Sequence, residues 1–112
     1  MDRTPERPGL GLAELLEALA SPDPTVRASA IARTRPRPAM EEVLIETLSD
    51  PAPEVRAVAV RALARLEGRR GAEALIEVAS GDVSVLVRAE AVAGLGRILE
   101  ARTRRPEPGA RS

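Results

Sequence analysis

Carboxylates, guanidinium groups and a few hydroxyls are the main side chains in this sequence that could take part in chemistry. The 112 residues include 17 Arg and 17 Asp or Glu, but no Lys, His, Cys or Tyr. A glutamate could act as a general acid or base, yet it has none of the usual partners that activate a nucleophile. No candidate base lies beside the Ser and Thr hydroxyls, so we expect no enzymatic activity. The serines considered are Ser21, Ser29, Ser49, Ser80 and Ser84.

Sites for a metal or a cofactor are also poorly supplied. Glu42 and Glu46 are one helical turn apart, a spacing that more often reflects two solvated carboxylates than a metal site. Gly94-Leu95-Gly96 falls inside a predicted helix and lacks the preceding strand of a phosphate-binding loop. We therefore expect no metal and no cofactor.

Charge and composition restrict the class of partner. The formal net charge is zero, which argues against non-specific binding to nucleic acid or to an anionic membrane. No apolar run approaches the ~18 residues that a membrane-spanning helix needs. The first eight residues lack the apolar stretch of a signal peptide, so we expect a cytoplasmic protein. Joint absence of Lys, Asn, Phe and Tyr indicates a GC-rich coding genome and favours a bacterial source.

Three segments of the sequence repeat the same pattern of residues. Each contains Val-Arg-Ala followed by a further Ala, and the arginines of these motifs are Arg27, Arg56 and Arg88. They lie 29 and 32 residues apart, and each unit has room for two helices. This period is typical of stacked helical hairpins. Because the chain has no Phe, Trp or Tyr, the core must consist of aliphatic side chains.

Each unit divides into a first helix, A, and a second helix, B. Pro24, Pro38 and Pro53 suit the first position of a helix, where a missing N–H has no cost, and Ser84 suits an N-cap. Gly94 and Gly96 each cost about 1 kcal/mol inside a helix, which close packing of a neighbouring helix could explain. The predicted A helices are about 10–20, 38–49 and 71–80, and the predicted B helices are about 24–35, 53–67 and 84–101.

These helices define the predicted domain organisation. A single repeat domain covers residues 10–101, with units at about 10–36, 37–68 and 69–101. Both ends of the chain are rich in Pro, Arg, Glu and Gly. Such segments cannot bury enough apolar surface to fold. We therefore predict disordered tails at 1–9 and 102–112.

The pattern Asp-Pro-x-x-x-Val-Arg-x-x-Ala resembles the HEAT-repeat superfamily, especially short bacterial HEAT-like repeats related to the PBS-lyase HEAT-like repeats. The third unit, at 87–96, is the most similar, and the resemblance covers about 10–101. It implies an all-α fold, a right-handed α-solenoid (alpha-alpha superhelix) of about three HEAT-like hairpins. It also implies an armadillo-like scaffold for protein binding.

The resemblance further implies a ladder of ion pairs, in which an Asp in the turn is followed by an Arg six residues later. Two hydrogen bonds from the guanidinium would hold the carboxylate and fix the turn against the B helix. The first unit departs from this spacing, since Ser21 stands in the turn and Asp23 lies only four residues before the arginine. We therefore expect the ladder to be incomplete at that end. The residues given this structural role are Asp50 and Arg56, Asp82 and Arg88, and Arg27.

The second B helix has a charged face and an apolar face. Glu54, Arg61 and Arg65 fall on one side of its helical projection. The other side is apolar, which is typical of a helix that faces a core. The residues predicted to lie in that core are Val55, Ala59, Ala62, Leu63 and Leu66.

Arginine is concentrated in the B helices, whereas the predicted A helices carry seven glutamates and no arginine. The resemblance implies that B helices line the concave surface, so we expect a basic concave face and an acidic outer face. Arg97 occupies the register of Arg65, and Arg33 lies one place from the register of Arg61. We interpret the concave face as a site for an acidic protein or peptide. Its candidate residues are Arg61, Arg65, Arg97, Arg33, Glu54 and Glu90.

Three other interpretations remain open. The last B helix carries Val92, Leu95, Ile98 and Leu99, so self-association through the terminal repeat edge is one of them. Contact with nucleic acid through the concave arginines is a second, although the chain has no aromatic side chains for base stacking. An accessory subunit of a bilin-lyase-like system is a third, although His, Tyr and Trp are absent. The chain is also interpretable as a fragment of a longer repeat array.

Overall fold

The computed structural model describes residues 9–105, and these residues form six α-helices arranged as three hairpins. The predicted all-helical stack of A and B helices is therefore confirmed. A 3₁₀ turn at Pro38–Met40 leads into the third helix. The helices are α1 (Leu12–Leu19), α2 (Pro24–Ala32), α3 (Glu41–Thr47), α4 (Pro53–Leu66), α5 (Arg69–Gly81) and α6 (Val85–Arg104).

Most helix starts follow the signals in the sequence. Pro24 and Pro53 each occupy the first turn of a helix. The Asp23 carboxylate accepts a hydrogen bond from the Thr25 amide at 2.9 Å. The Ser84 hydroxyl accepts one from the Val87 amide at 3.3 Å. Both side chains satisfy an amide that the helix leaves without a partner.

Two predicted boundaries were wrong. Helix α5 begins at Arg69 rather than at residue 71, and the Glu41 carboxylate accepts a hydrogen bond from the Gly71 amide in its first turn at 3.1 Å. Helix α6 continues to Arg104, so residues 102–104 are helical rather than part of a disordered tail. The other residues of the predicted tails, 1–8 and 106–112, lie outside the described residues.

Helix α4 is the centre of the stack. It packs against α2 on one side and α6 on the other, so the three B helices lie in chain order, and it also contacts α3 and α5. Of its predicted core residues, all are buried except Leu66, which is half-buried. The fully buried side chains of the core are aliphatic throughout. The largest of them are Leu15, Ile31, Met40, Leu44, Leu63, Leu75, Val55, Val60 and Val87.

The two glycines of α6 differ in their surroundings. A Cβ added at Gly94 would lie 3.1 Å from the Ala64 Cβ and 3.4 Å from the Leu75 Cδ1, whereas a Cβ at Gly96 would meet nothing within 4 Å. Close helix packing therefore explains Gly94 and does not explain Gly96.

The last hairpin leaves an apolar surface uncovered among the described residues. Ile98 is buried and Leu95 is half-buried, but Val92 and Leu99 are 60% and 63% exposed. The helix therefore directs only part of its apolar surface into the core. No helix within residues 9–105 is long and apolar enough to cross a membrane.

Candidate protein-binding surface

An ion-pair ladder joins each hairpin to the next. Arg27 Nε and Nη2 each donate a hydrogen bond of 2.9 Å to the Asp50 carboxylate. Arg56 holds the Asp82 carboxylate in the same way, at 2.8 and 3.0 Å. These contacts cross from one unit to the following unit. The predicted pairing of each Asp with the Arg six residues later in its own unit is therefore wrong.

Within its own unit, each ladder arginine binds a backbone carbonyl of the turn. Arg27 Nη1 donates to the Ser21 carbonyl at 2.9 Å, and Arg56 Nη1 donates to the Asp50 carbonyl at 2.8 Å. A guanidinium has donors enough for both contacts, because its five N–H groups point in fixed and different directions. One arginine thus fixes its own turn and the turn of the next hairpin.

The ladder is complete at the first unit and open at the third, the reverse of what was predicted. Asp50 and Asp82 also accept an amide hydrogen bond two residues ahead, from Ala52 and Ser84 at 2.9 and 2.8 Å. Ser21 fills this turn role through its hydroxyl, which accepts from the Asp23 amide at 3.1 Å. Within residues 9–105 no arginine precedes Ser21 in the ladder, so its turn has no ladder arginine to bind.

The ladder sets the ionisation of its members. Hydrogen bonds from Arg27 hold the pKa of Asp50 below its ordinary value, and those from Arg56 do the same for the pKa of Asp82. The carboxylates in turn raise the pKa of both arginines. Charge-assisted pairs with two hydrogen bonds are among the strongest polar contacts in proteins. All four side chains are therefore committed to the stack rather than to a ligand.

Three of the candidate arginines line one depression across the B helices. This depression has a volume of about 360 Å³. We name it the B-helix groove, and it brings together Arg61, Arg65 and Arg97 as the register predicted. The remaining lining is aliphatic. The groove is lined by Ile31 and Ala32 of α2, by Val58, Arg61, Ala62 and Arg65 of α4, and by Arg97 of α6.

Glu90 neutralises one of these arginines. Arg61 Nε and Nη2 donate to the Glu90 carboxylate at 3.2 and 2.9 Å, and this contact lowers the pKa of Glu90. Arg65 and Arg97 are exposed and form no ion pair within the described residues. The positive charge available in the groove therefore comes from these two residues.

Two candidates lie away from the B-helix groove. Arg33 instead lines a depression of the first hairpin, next to Leu10 and Glu14. Glu54 is exposed in the first turn of α4, about 16 Å along the helix from Arg65 at 1.5 Å per residue. The predicted six-residue face is therefore reduced to the three arginines and Glu90.

The A layer is less acidic than predicted, because α5 begins with two arginines. Arg70 donates to Glu42 of α3 at 2.8 Å and lowers the pKa of that carboxyl. Arg69 lies 3.5 Å from Glu73 one turn later. The expectation of an A layer without arginine is wrong. The charge asymmetry between the two layers is correspondingly weaker.

Sequence reasoning missed the contact between Arg61 and Glu90, although a signal for it was present. The two residues are 29 residues apart, which equals the first repeat period. Side chains one period apart occupy similar registers in adjacent B helices, so they can meet across a stack. As for metal ligation, the part of the chain that the structure describes holds no group of three or more His, Cys, Asp or Glu residues that could bind an ion.

A family model for HEAT repeats matches residues 40–106, which is more than half of the chain. The chain belongs to the HEAT-repeat family. HEAT repeats commonly mediate protein–protein interactions and generally form non-catalytic scaffolds. The match covers the second and third hairpins of this HEAT-repeat protein, and the contact from Arg27 to Asp50 connects its first hairpin to them. No curated protein and no solved structure matches the chain.

Proposed function

We propose that this HEAT-repeat protein is a non-catalytic interaction module that binds an acidic segment of another protein in the B-helix groove. The observation that carries the proposal is the pair Arg65 and Arg97, which flank the groove without a carboxylate partner among the described residues. A planar guanidinium binds a carboxylate through two parallel hydrogen bonds. Two such groups beside one groove suit two carboxylates of a single peptide.

The apolar lining of the groove favours a peptide over a simple anion. Val58 is half-buried and Ala32 is exposed, and both line the space next to the arginines. A bound segment could therefore place an aliphatic side chain on these residues while its carboxylates meet Arg65 and Arg97. Sites of this kind combine an apolar surface with a few polar groups that fix the orientation of the ligand.

The same features disfavour nucleic acid. The chain has a net charge of zero and no aromatic side chain on which a base could stack. Arg61, the third arginine of the groove, is already paired with Glu90. Each phosphate contact steepens the salt dependence of binding to nucleic acid. Two available arginines predict a shallow dependence.

A fluorescence-anisotropy titration tests the proposal. The probe is a labelled peptide of alternating Glu and Leu, and the matched peptide carries Gln in place of Glu. We expect the wild-type protein to bind the Glu peptide and R65E/R97E to bind it at least tenfold more weakly. The control variant R35E/R37E has the same change of net charge at exposed arginines outside the groove, and we expect it to bind like the wild type.

Either of two results would reject the groove as the binding site. One is equal affinity of R65E/R97E and R35E/R37E for the Glu peptide, which would assign any loss to net charge alone. The other is equal affinity of the wild-type protein for the Glu and Gln peptides. Circular dichroism of each variant would show that the helices are retained.

A further inference from the structure

The outward side of α6 is an apolar face with no neighbour among the described residues. We name it the end face, formed by Val85, Ala89, Val92, Gly96 and Leu99 together with Arg88. These residues follow one another at helical intervals of three and four, so the apolar members form a single stripe. Val85, Val92 and Leu99 are 70%, 60% and 63% exposed.

The register of the repeat shows what this stripe corresponds to. The second and third ladder arginines are 32 residues apart, so Ala89, Val92 and Gly96 correspond to residues 57, 60 and 64 of α4. Those residues, Ala57, Val60 and Ala64, are 8%, 0% and 3% exposed. Helix α6 covers them, since a Cβ at Gly94 would lie 3.1 Å from Ala64 and 3.8 Å from Val60. The end face therefore repeats a surface on which a helix stacks within the chain.

Arg88 is the open end of the ladder. Its Nη1 donates to the Asp82 carbonyl at 2.6 Å, as Arg56 Nη1 does to the Asp50 carbonyl. Arg27 and Arg56 use their other donors to hold the aspartate of the next hairpin. Arg88 makes no ion pair within the described residues. Its guanidinium is held in the ladder position with donors available for a carboxylate.

Gly96 adds to this reading. No neighbour within 4 Å requires a glycine there, and glycine costs about 1 kcal/mol in a helix relative to alanine. In α4 the corresponding small residue, Ala64, lies where α6 approaches closely. Ala89 and Gly96 leave space for a similar approach of a helix from outside.

We propose that the end face receives a helical hairpin of another protein, which stacks on α6 and places an aspartate of its inter-helix turn on Arg88. The interface would continue the packing and the ion-pair geometry that join the hairpins of this chain. A second copy of this chain fits less well in a head-to-tail stack. Its first hairpin offers Ser21 in the ladder position, and the nearby Asp23 carboxylate already caps the Thr25 amide.

This surface is separate from the B-helix groove, so the two can be tested independently. In the full-length chain, Val92 is replaced by a photo-crosslinking amino acid. The protein is irradiated in a lysate of the cells that produce it, and mass spectrometry identifies the residues that are crosslinked. We expect the crosslink to lie in a helix of another protein, next to a turn that carries an aspartate. It should fall at least tenfold with R88E and remain with R97E, a change of equal charge in the groove.

A second variant covers the case in which R88E disturbs its own turn. Leucine at Gly96 would project into open space, so G96L should fold normally and block the stacking helix, again with a tenfold loss. Four results would overturn the proposal. They are crosslinks to another copy of this chain, crosslinks to a segment without such a turn, no crosslink at all, and crosslinks that neither R88E nor G96L reduces.

Discussion

Arg27 in the first hairpin binds Asp50 in the second through two hydrogen bonds of 2.9 Å each. Arg56 repeats the contact with Asp82 one unit later. Both pairs lie on the inter-helix turns and are shielded from solvent, with side chains 12% exposed or less. Since the core has no aromatic side chains, these pairs supplement aliphatic packing of modest area per residue. The ladder thus contributes directly to the order of the hairpins.

Substitution D82N tests the contribution of the ladder to stability. The amide keeps the shape of the side chain but removes the charge that Arg56 binds, so we expect the free energy of unfolding to fall by about 1–3 kcal/mol. Urea denaturation measures the loss. The control is E77Q at an exposed position of α5, which we expect to leave the midpoint unchanged. A D82N midpoint equal to that of E77Q would show that the ion pair adds nothing.

Acid should destabilise the fold through the same carboxylates. Arginine contacts lower the pKa of Asp50 and Asp82 in the folded state. Their contribution is therefore complete above the unfolded value of about 3.9 and is lost as the pH falls through the lower folded value. We expect the melting temperature to decline below about pH 4. The variant D50N/D82N should start lower and decline less. Parallel curves for the two proteins would contradict this assignment.

The two glycines of α6 predict opposite effects of alanine. G96A adds a methyl group in open space, so we expect a gain of up to about 1 kcal/mol from helix propensity. G94A places its Cβ 3.1 Å from that of Ala64, so overpacking should outweigh the same gain and destabilise the protein. Thermal melts of both variants give the signs. Changes of the same sign would show that α6 and α4 pack differently from this description.

Removing Glu90 should strengthen binding in the B-helix groove. Glu90 holds Arg61 by two hydrogen bonds. E90A therefore releases a third guanidinium and should tighten binding of the Glu–Leu peptide several-fold. The pair is partly exposed, and such pairs contribute less than about 1 kcal/mol to stability, so the fold should persist. E77A gives the same change of charge on α5 and should have little effect. Weaker binding by E90A would place Glu90 in contact with the ligand instead.

The repeat period alone predicted the hairpins, because Arg27, Arg56 and Arg88 mark equivalent positions and Pro24 and Pro53 mark helix starts. The ladder partners could not be read in the same way. Asp50 lies six residues before Arg56 but 23 residues after Arg27, and only the stacking distance between hairpins decides which arginine reaches it. The start of α5 depended on a similar long-range contact, from the Glu41 carboxylate to the Gly71 amide.

The candidate site was predictable in part. Register placed Arg61, Arg65 and Arg97 together, because they belong to adjacent B helices at matching heights. It could not show that Glu90 occupies Arg61, since that depends on the side-chain geometry between α4 and α6. It also placed Arg33 on the wrong surface. Helix α2 ends at Ala32, so the helical register no longer applies at the next residue.

The most direct test of the proposed function is a residue-resolved NMR titration of the ¹⁵N-labelled protein with the Glu–Leu peptide. The account predicts that the largest amide shifts lie at Val58, Ala62, Arg65 and Arg97, and that they vanish in R65E/R97E. Largest shifts on α1, α3 or α5, or no shifts at peptide concentrations that saturate the anisotropy signal, would contradict binding in the B-helix groove.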